Sequence, residues 1–202
     1  MTKIKLCGLS RPQDIQAANE LRADYIGFVF APGSRRYVSP RQALTLKSLL
    51  SPQIHAVGVF VYEEIEKVAR LLNRGVIDMA QLHGGEDEDY IRHLRGLTGK
   101  PIIQAFRITS DRDVLRAESS IADHVLLDSG AGTGTTFDWA LIRQIKRPYF
   151  LAGGLDIHNV KNAVDQLEPY AVDVSSGIET DGVKDPAKMA AFVAAVRKEA
   201  RL

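Results

Sequence analysis

Short apolar runs and amphipathic stretches alternate along the whole chain. The runs are KIKLC (3–7), DYIGFVF (24–30), IHAVGVFV (54–61), VIDMAQL (76–82), PIIQAFRI (101–108), DHVLLDS (123–129), PYFLAG (148–153) and YAVDVSS (170–176). Between them the apolar spacing changes to that of a helix. Ile65, Val68, Ala69 and Leu72 share one helical face, as do Met189, Phe192, Val193 and Val196. Start signals agree with this division. Ser10-x-x-Gln13 and Ser39-x-x-Gln42 have the form of capping boxes, with Pro12 and Pro40 in the first turn. Asp185 before Pro186 opens the last helix, and Asp156 is placed to cap the helix after the seventh run.

Nearly continuous apolar strands that alternate with helices predict a parallel sheet covered by helices. Eight such units can close into a (β/α)8 TIM barrel, read as one α/β domain over residues 1–202. That length is at the lower end for the fold, so the loops must be short. An open doubly wound sheet competes, but the first βα turn, CGLSRP, is not a G-x-G-x-x-G dinucleotide loop.

Composition narrows the classes of partner. The chain is 45% hydrophobic, enough for a large core. Lys and Arg (26) nearly balance Asp and Glu (25), a net charge of +1, so neither nucleic acid nor an anionic membrane surface is expected as a partner. Cys7 is the only cysteine, which excludes an internal disulfide and a thiolate metal cluster and suits a reducing, cytoplasmic compartment. There is no secretory h-region, and no apolar run approaches the roughly 20 residues that span a bilayer.

In a barrel of this kind the site lies where strands end and the following loops begin. That selects Cys7-Gly8, Phe30 to Arg36, Gln81-Leu82-His83-Gly84, Arg107, Asp128-Ser129, Gly153-Gly154 and Ser175-Ser176-Gly177. AGGLD (152–156) and SSGIE (175–179) follow the last two strands, where backbone N–H groups can converge on a phosphate. Tight turns also use glycine for steric reasons alone. Strand alternation puts Lys3, Lys5 and Cys7 on one face and Ile4 and Leu6 on the other. If Ile4 and Leu6 face the helices, Lys5 is buried in the barrel and needs a carboxylate. Closure sets the last strand beside the first, so Lys5 is expected to pair with Asp173; otherwise Lys5 snorkels toward the site.

Other strand-end residues keep two readings each. Arg35 and Arg36 are either part of a solvated loop or offer a guanidinium to a carboxylate. His83 is a structural hydrogen-bonder or a proton-transfer group. Asp128 caps a helix or acts as a general acid. The GAGTGTTFDW segment, 130–139, is a lid or an irregular turn.

KLCGL, GFVF-x3-SRRYVS, QLHG, LLDSGAGTGTTFDW, FLAGGL and VDVSSGIE, in this order, closely resemble phosphoribosylanthranilate isomerase. That family is a set of small (β/α)8-barrel enzymes of tryptophan biosynthesis, and the likeness spans nearly the whole chain. Ala131 stands where the family often has another glycine. The resemblance implies an Amadori rearrangement of a phosphosugar that carries an aromatic carboxylate, with no cofactor and no metal. By the same resemblance Asp128 is the general acid and Cys7 the general base. Arg36 then takes the anthranilate carboxylate, with aromatic or apolar neighbours such as Phe30 beside the ring. Gly154, Ser175, Ser176 and Gly177 take the phosphate, and Gln81 and His83 complete the substrate site. Asp128 should have its pKa raised and Cys7 should have its thiol pKa lowered or matched by substrate contacts.

Rival readings differ at the strand ends. A histidine-pathway isomerase of the same chemistry needs a second anion loop near strands three and four, where this chain has the acidic QLHGGEDED. A metal-dependent sugar-phosphate epimerase wants more His and Asp than His83 and Asp128. A non-catalytic phosphosugar binder has no need of Cys7 and Asp128 together. Both monomer and homodimer are compatible with the sequence.

Overall fold

The computed structural model describes residues 1–128 and 139–197. Eight parallel strands pair in chain order and close on themselves: β1 (Lys3–Cys7), β2 (Tyr25–Val29), β3 (His55–Phe60), β4 (Met79–Leu82), β5 (Ile102–Arg107), β6 (His124–Asp128), β7 (Tyr149–Ala152) and β8 (Ala171–Val174). The helices between and after them are α1 (Pro12–Glu20), α2 (Pro40–Lys47), α3 (Ile65–Asn73), α4 (Glu88–Leu97), α5 (Asp111–Ser119), α6 (Trp139–Ile142), α7 (Val160–Leu167) and α8 (Pro186–Arg197). The expected barrel is therefore present. Ser129, Ala131 and the rest of the 130–138 segment, for which a lid was weighed, lie outside the described residues.

Alternation along each strand builds two cores. Ile4, Leu6, Ile26, Phe28 and Phe30 point outward into the layer between sheet and helices. Tyr25, Val57, Met79, Ile103, Leu126 and Phe150 point inward and fill the lumen. The pattern alone does not say which face of a fully apolar strand is which, but Lys5 does. It is completely buried and pairs in register with Asp173 across the β1–β8 seam. Its Nζ donates to both carboxylate oxygens, at 3.1 and 3.0 Å. Burial pushes the ammonium toward a lower pKa, Asp173 and Cys7 together more than offset it, and the net direction is up.

Some helix starts differ from the capping pattern. At α1 the N-cap position falls on Arg11, and the Asp14 carboxylate accepts the amides of Ser10 and Arg11 at 3.0 Å each. A charged acceptor at a helix N-terminus satisfies two orphan donors at once, which a serine hydroxyl cannot. Ser39 caps α2 as expected, accepting the Gln42 amide at 3.2 Å, but the Gln42 side chain donates to the Ser10 carbonyl and leaves the box open. Asp156 caps the turn before α7, through the amides of His158 and Asn159, and the N-cap of α7 itself is Asn159. Asp185 accepts the amides of Ala187 and Lys188, as expected for α8.

After β8 the chain makes a short hairpin, β9 (Glu179–Thr180) with β10 (Val183–Lys184), before α8 begins. Asp181 and Gly182 turn it with φ of 52° and 79°, the two left-handed residues of a type I′ turn.

Removing Asp173 by substitution with alanine is expected to cost about 3–5 kcal/mol, because it strands a buried ammonium. The double variant Lys5→Met/Asp173→Leu should recover most of that loss. Urea unfolding of the three proteins is the check.

Candidate active site

The C-terminal ends of the strands surround a cavity of about 370 Å³. Cys7, Arg36, Gln81, His83, Asp128, Gly154, Ser175 and Ser176 all line it. A larger depression of about 700 Å³, lined by Thr2, Lys3, Glu168 and Arg197 among others, contains none of the strand-end candidates. Two expected residues are elsewhere. Gly177 is not among the lining residues and packs against the loop after β7, where a Cβ would meet the Leu155 carbonyl oxygen at 2.0 Å, so glycine there permits the close approach of two backbones. Phe30 is 2% exposed in the helix-side core, stacked on Phe60 at 5.1 Å between ring centres. Its parity turns it away from the lumen, and Val29, Val59 and Val61 supply the apolar wall instead.

Cys7 ends β1 and is 8% exposed. Its register partner is Gly27, where a Cβ would lie 2.5 Å from the Cys7 sulfur. Glycine at that position is what leaves room for the thiol. Burial pushes the thiol pKa up, and the nearby Lys5 and Lys184 ammonium groups pull it down without overcoming burial. The free site thus does not lower the thiol pKa, contrary to one of the sequence expectations.

His83 links two candidates. The Gln81 side-chain nitrogen lies 3.0 Å from His83 Nδ1, and His83 Nε2 lies 3.4 Å from an Asp128 carboxylate oxygen. With the Gln81 amide donating, Nδ1 accepts, which places the imidazole proton on Nε2 toward Asp128. Gln81 Oε1 is buried and has no partner among the described residues, which leaves an acceptor in the cavity wall.

Arg36 meets an acid that the motif reading passed over. Glu179 accepts Arg36 Nε at 2.6 Å and Nη2 at 2.8 Å, Arg35 Nη2 at 2.7 Å and Lys184 Nζ at 2.6 Å. Lys184 also donates to the Ser175 carbonyl at 2.8 Å, and the Ser175 hydroxyl donates to the Cys7 carbonyl at 3.2 Å. Burial alone would raise the Glu179 pKa, but Arg36 and Lys184 outweigh it and hold the carboxyl at about 2. Lys184 is itself pushed down by burial, against the opposing pull of Glu179. Thr180-Asp181-Gly182-Val183 is the signal that could have found this pair, since Asp-Gly between short strands marks a two-residue hairpin. A second buried acid, Glu86, accepts the amides of Tyr62 and Gly84 at 2.8 and 2.9 Å and ties the loops after β3 and β4 together.

Three cations against one carboxylate leave an excess of positive charge at the rim. The glycine and serine loops add backbone that can approach an anion closely, with Gly153 and Gly154 at φ of 93° and 61°. Among the described residues no cluster of three or more His, Cys, Asp or Glu could hold a metal ion. The arrangement brings a thiol, a carboxyl group, a guanidinium and the glycine-serine loops to one cavity.

Comparison with known proteins matches this geometry. Residues 4–195 fit the family model described as N-(5'-phosphoribosyl)anthranilate (PRA) isomerase. A curated protein of that name from Endomicrobium trichonymphae is 43% identical over 202 residues, covering 98% of this chain and 99% of its own. The crystal structure of phosphoribosyl anthranilate isomerase from Thermotoga maritima superposes with a TM-score of 0.90 at 37% identity, covering 98% of this chain and 100% of that one. A phosphoribosyl anthranilate isomerase solved in complex with reduced 1-(o-carboxyphenylamino)-1-deoxyribulose 5-phosphate superposes at 0.88 and 37% identity, with the same coverage.

Gly27→Ala should displace the Cys7 sulfur, remove most activity and destabilise the protein by about 1–3 kcal/mol, as overpacking does; activity assays with urea unfolding test this. The Glu179 ion pairs set a sign for acid sensitivity. A carboxyl whose folded pKa is about 2, against about 4.3 when unfolded, contributes stability present above the higher value and lost as pH falls toward the lower. Thermal melts from pH 5 to pH 2 should therefore fall less steeply for Glu179→Gln than for the parent chain.

Proposed function

The chain belongs to the N-(5'-phosphoribosyl)anthranilate isomerase family, enzymes of tryptophan biosynthesis, and from that premise we propose how its residues divide the reaction. The rearrangement turns N-(5'-phosphoribosyl)anthranilate, an aminoaldose, into 1-(2-carboxyphenylamino)-1-deoxyribulose 5-phosphate, an aminoketose. It needs a proton delivered at one atom and a proton removed at another. The convergence of Cys7 and Asp128 on one cavity, between the glycine-serine loops and Arg36, is the observation that carries the assignment.

Asp128 gives its proton to the furanose ring oxygen. The C1′–O bond breaks, the anthranilate nitrogen supplies its electron pair, and an iminium forms at C1′. Negative charge arriving with the substrate favours the protonated acid beforehand. Cys7 then takes the proton from C2′, and the electrons of that bond neutralise the iminium to give an enolamine. The enol proton passes to solvent and solvent returns one to C1′, while Asp128 regains a proton by the same exchange, so the aminoketose forms with no net change in atoms.

The elevated thiol pKa of the free site fits this order of events. A cationic iminium beside the sulfur lowers the thiol pKa, so the thiol releases its proton to solvent and the thiolate that removes the C2′ proton is populated when that hydrogen becomes acidic. The Gly154 and Ser175-Ser176 backbone binds the phosphate and Arg36 binds the anthranilate carboxylate. His83, held by Gln81, steadies Asp128. A reduced thiol is required throughout, which suits a cytoplasmic enzyme; among the described residues no helix is long and apolar enough to cross a membrane.

Cys7→Ser and Asp128→Asn should each abolish most turnover while product-analogue affinity stays within about tenfold, or about 1.4 kcal/mol. Full turnover in either variant removes the role given to that residue. Arg36→Ala should act mainly on KM.

A further inference from the structure

Glu179 has no part in the proton transfers above, yet three cations converge on it, and one of them, Arg36, lines the cavity. Its side chain is 4% exposed and its backbone is fixed by the β9–β10 pairing, in which Glu179 lies opposite Lys184. The tight turn brings Arg35 against Gly182, where a Cβ would come within 3.1 Å of the guanidinium. The two bonds from Arg36 use Nε and one hydrogen of Nη2. Among the described residues only Glu179 accepts from the Arg36 side chain, through Nε and Nη2, so the Nη1 edge is open toward the cavity that Arg36 lines.

Two physical consequences follow. A free arginine loses side-chain entropy when it captures a ligand, and one already locked by a carboxylate does not. An isolated acid so close to an anionic ligand would repel it, but Arg35 and Lys184 offset the charge of Glu179. The low pKa of Glu179 keeps it ionised at any working pH.

We propose that Glu179 is the positioning residue that holds Arg36 with its outer edge toward the substrate carboxylate, and so sets the preference for a carboxylate-bearing aglycone. The inference rests on the role given to Arg36 above. Glu179 touches Arg36 rather than the reacting atoms, so its removal should act on recognition of one end of the ligand only.

Calorimetric binding of two probes separates that effect from a general loss of structure. The reduced product, 1-(o-carboxyphenylamino)-1-deoxyribulose 5-phosphate in reduced form, carries carboxylate and phosphate; ribose 5-phosphate carries phosphate alone. Glu179→Gln should weaken the first by about tenfold and leave the second within about twofold, and KM should rise while kcat changes by less than about threefold. In an Arg36→Ala background the same substitution should add nothing, as expected of two residues acting through one contact. Glu179→Asp keeps the charge on Lys184 but withdraws it from Arg36, and gives the same reading if the glutamine variant does not fold. Equal weakening of both probes, no weakening of either, or additivity with Arg36→Ala would overturn the role. Unchanged affinity of Arg36→Ala itself for the reduced product would instead overturn the assignment of Arg36, and this role with it.

Discussion

Lys5 and Asp173 meet where the first strand pairs with the last, and the rest of the site is oriented by that meeting. A buried ammonium tolerates only a register that gives it a carboxylate. The seam that joins Lys5 to Asp173 also sets the next inward positions of the same strands, Cys7 on β1 and Ser175 just past β8. A slip of one residue would exchange lumen and helix faces and bury Ile4 and Leu6 where the cavity now lies. The ion pair thus acts as a register lock below the chemistry, while apolar burial on both faces supplies the driving force for closure.

Above the lock, the cavity is organised by pairs of groups with opposite demands. Burial keeps Cys7 protonated at rest, and the lysines near it limit how strongly. Cations outnumber acids around Glu179, so an anionic ligand enters a wall whose positive charge is already in place. The missing side chains of Gly8, Gly27 and Gly177 let guanidinium, sulfur and loop pack close; a Cβ at Gly8 would lie 2.5 Å from Arg36 Cδ. Rearranging little on binding leaves more of the interaction energy for the transition state.

Much of this was legible beforehand because it depends on short-range rules. Short, nearly continuous apolar runs gave the strands, and the Lys5–Asp173 pair followed from parity and closure. The catalytic candidates stood at strand ends, where the fold must put them. What escaped reading had no local signature or a misleading one. Phe30 sits at a strand end but on the wrong parity, and motif adjacency hid that. Ser10 looks like a helix cap until Asp14, four residues on, offers a stronger acceptor. Glu179 and Lys184 are separated by a hairpin of only two turn residues, so neither looked like a partner of a distant arginine. Glu86, in a run that reads as solvated acid, is buried because two loop amides need it.

The most direct test of these assignments is a crystal structure of this chain with the reduced product bound. They require the phosphate against Gly154 and Ser176, the aryl carboxylate on the free edge of Arg36, and the C1′–C2′ unit between the Cys7 sulfur and the Asp128 carboxyl. A ligand bound in the reverse sense, or one whose C2′ is turned away from the sulfur, would contradict them.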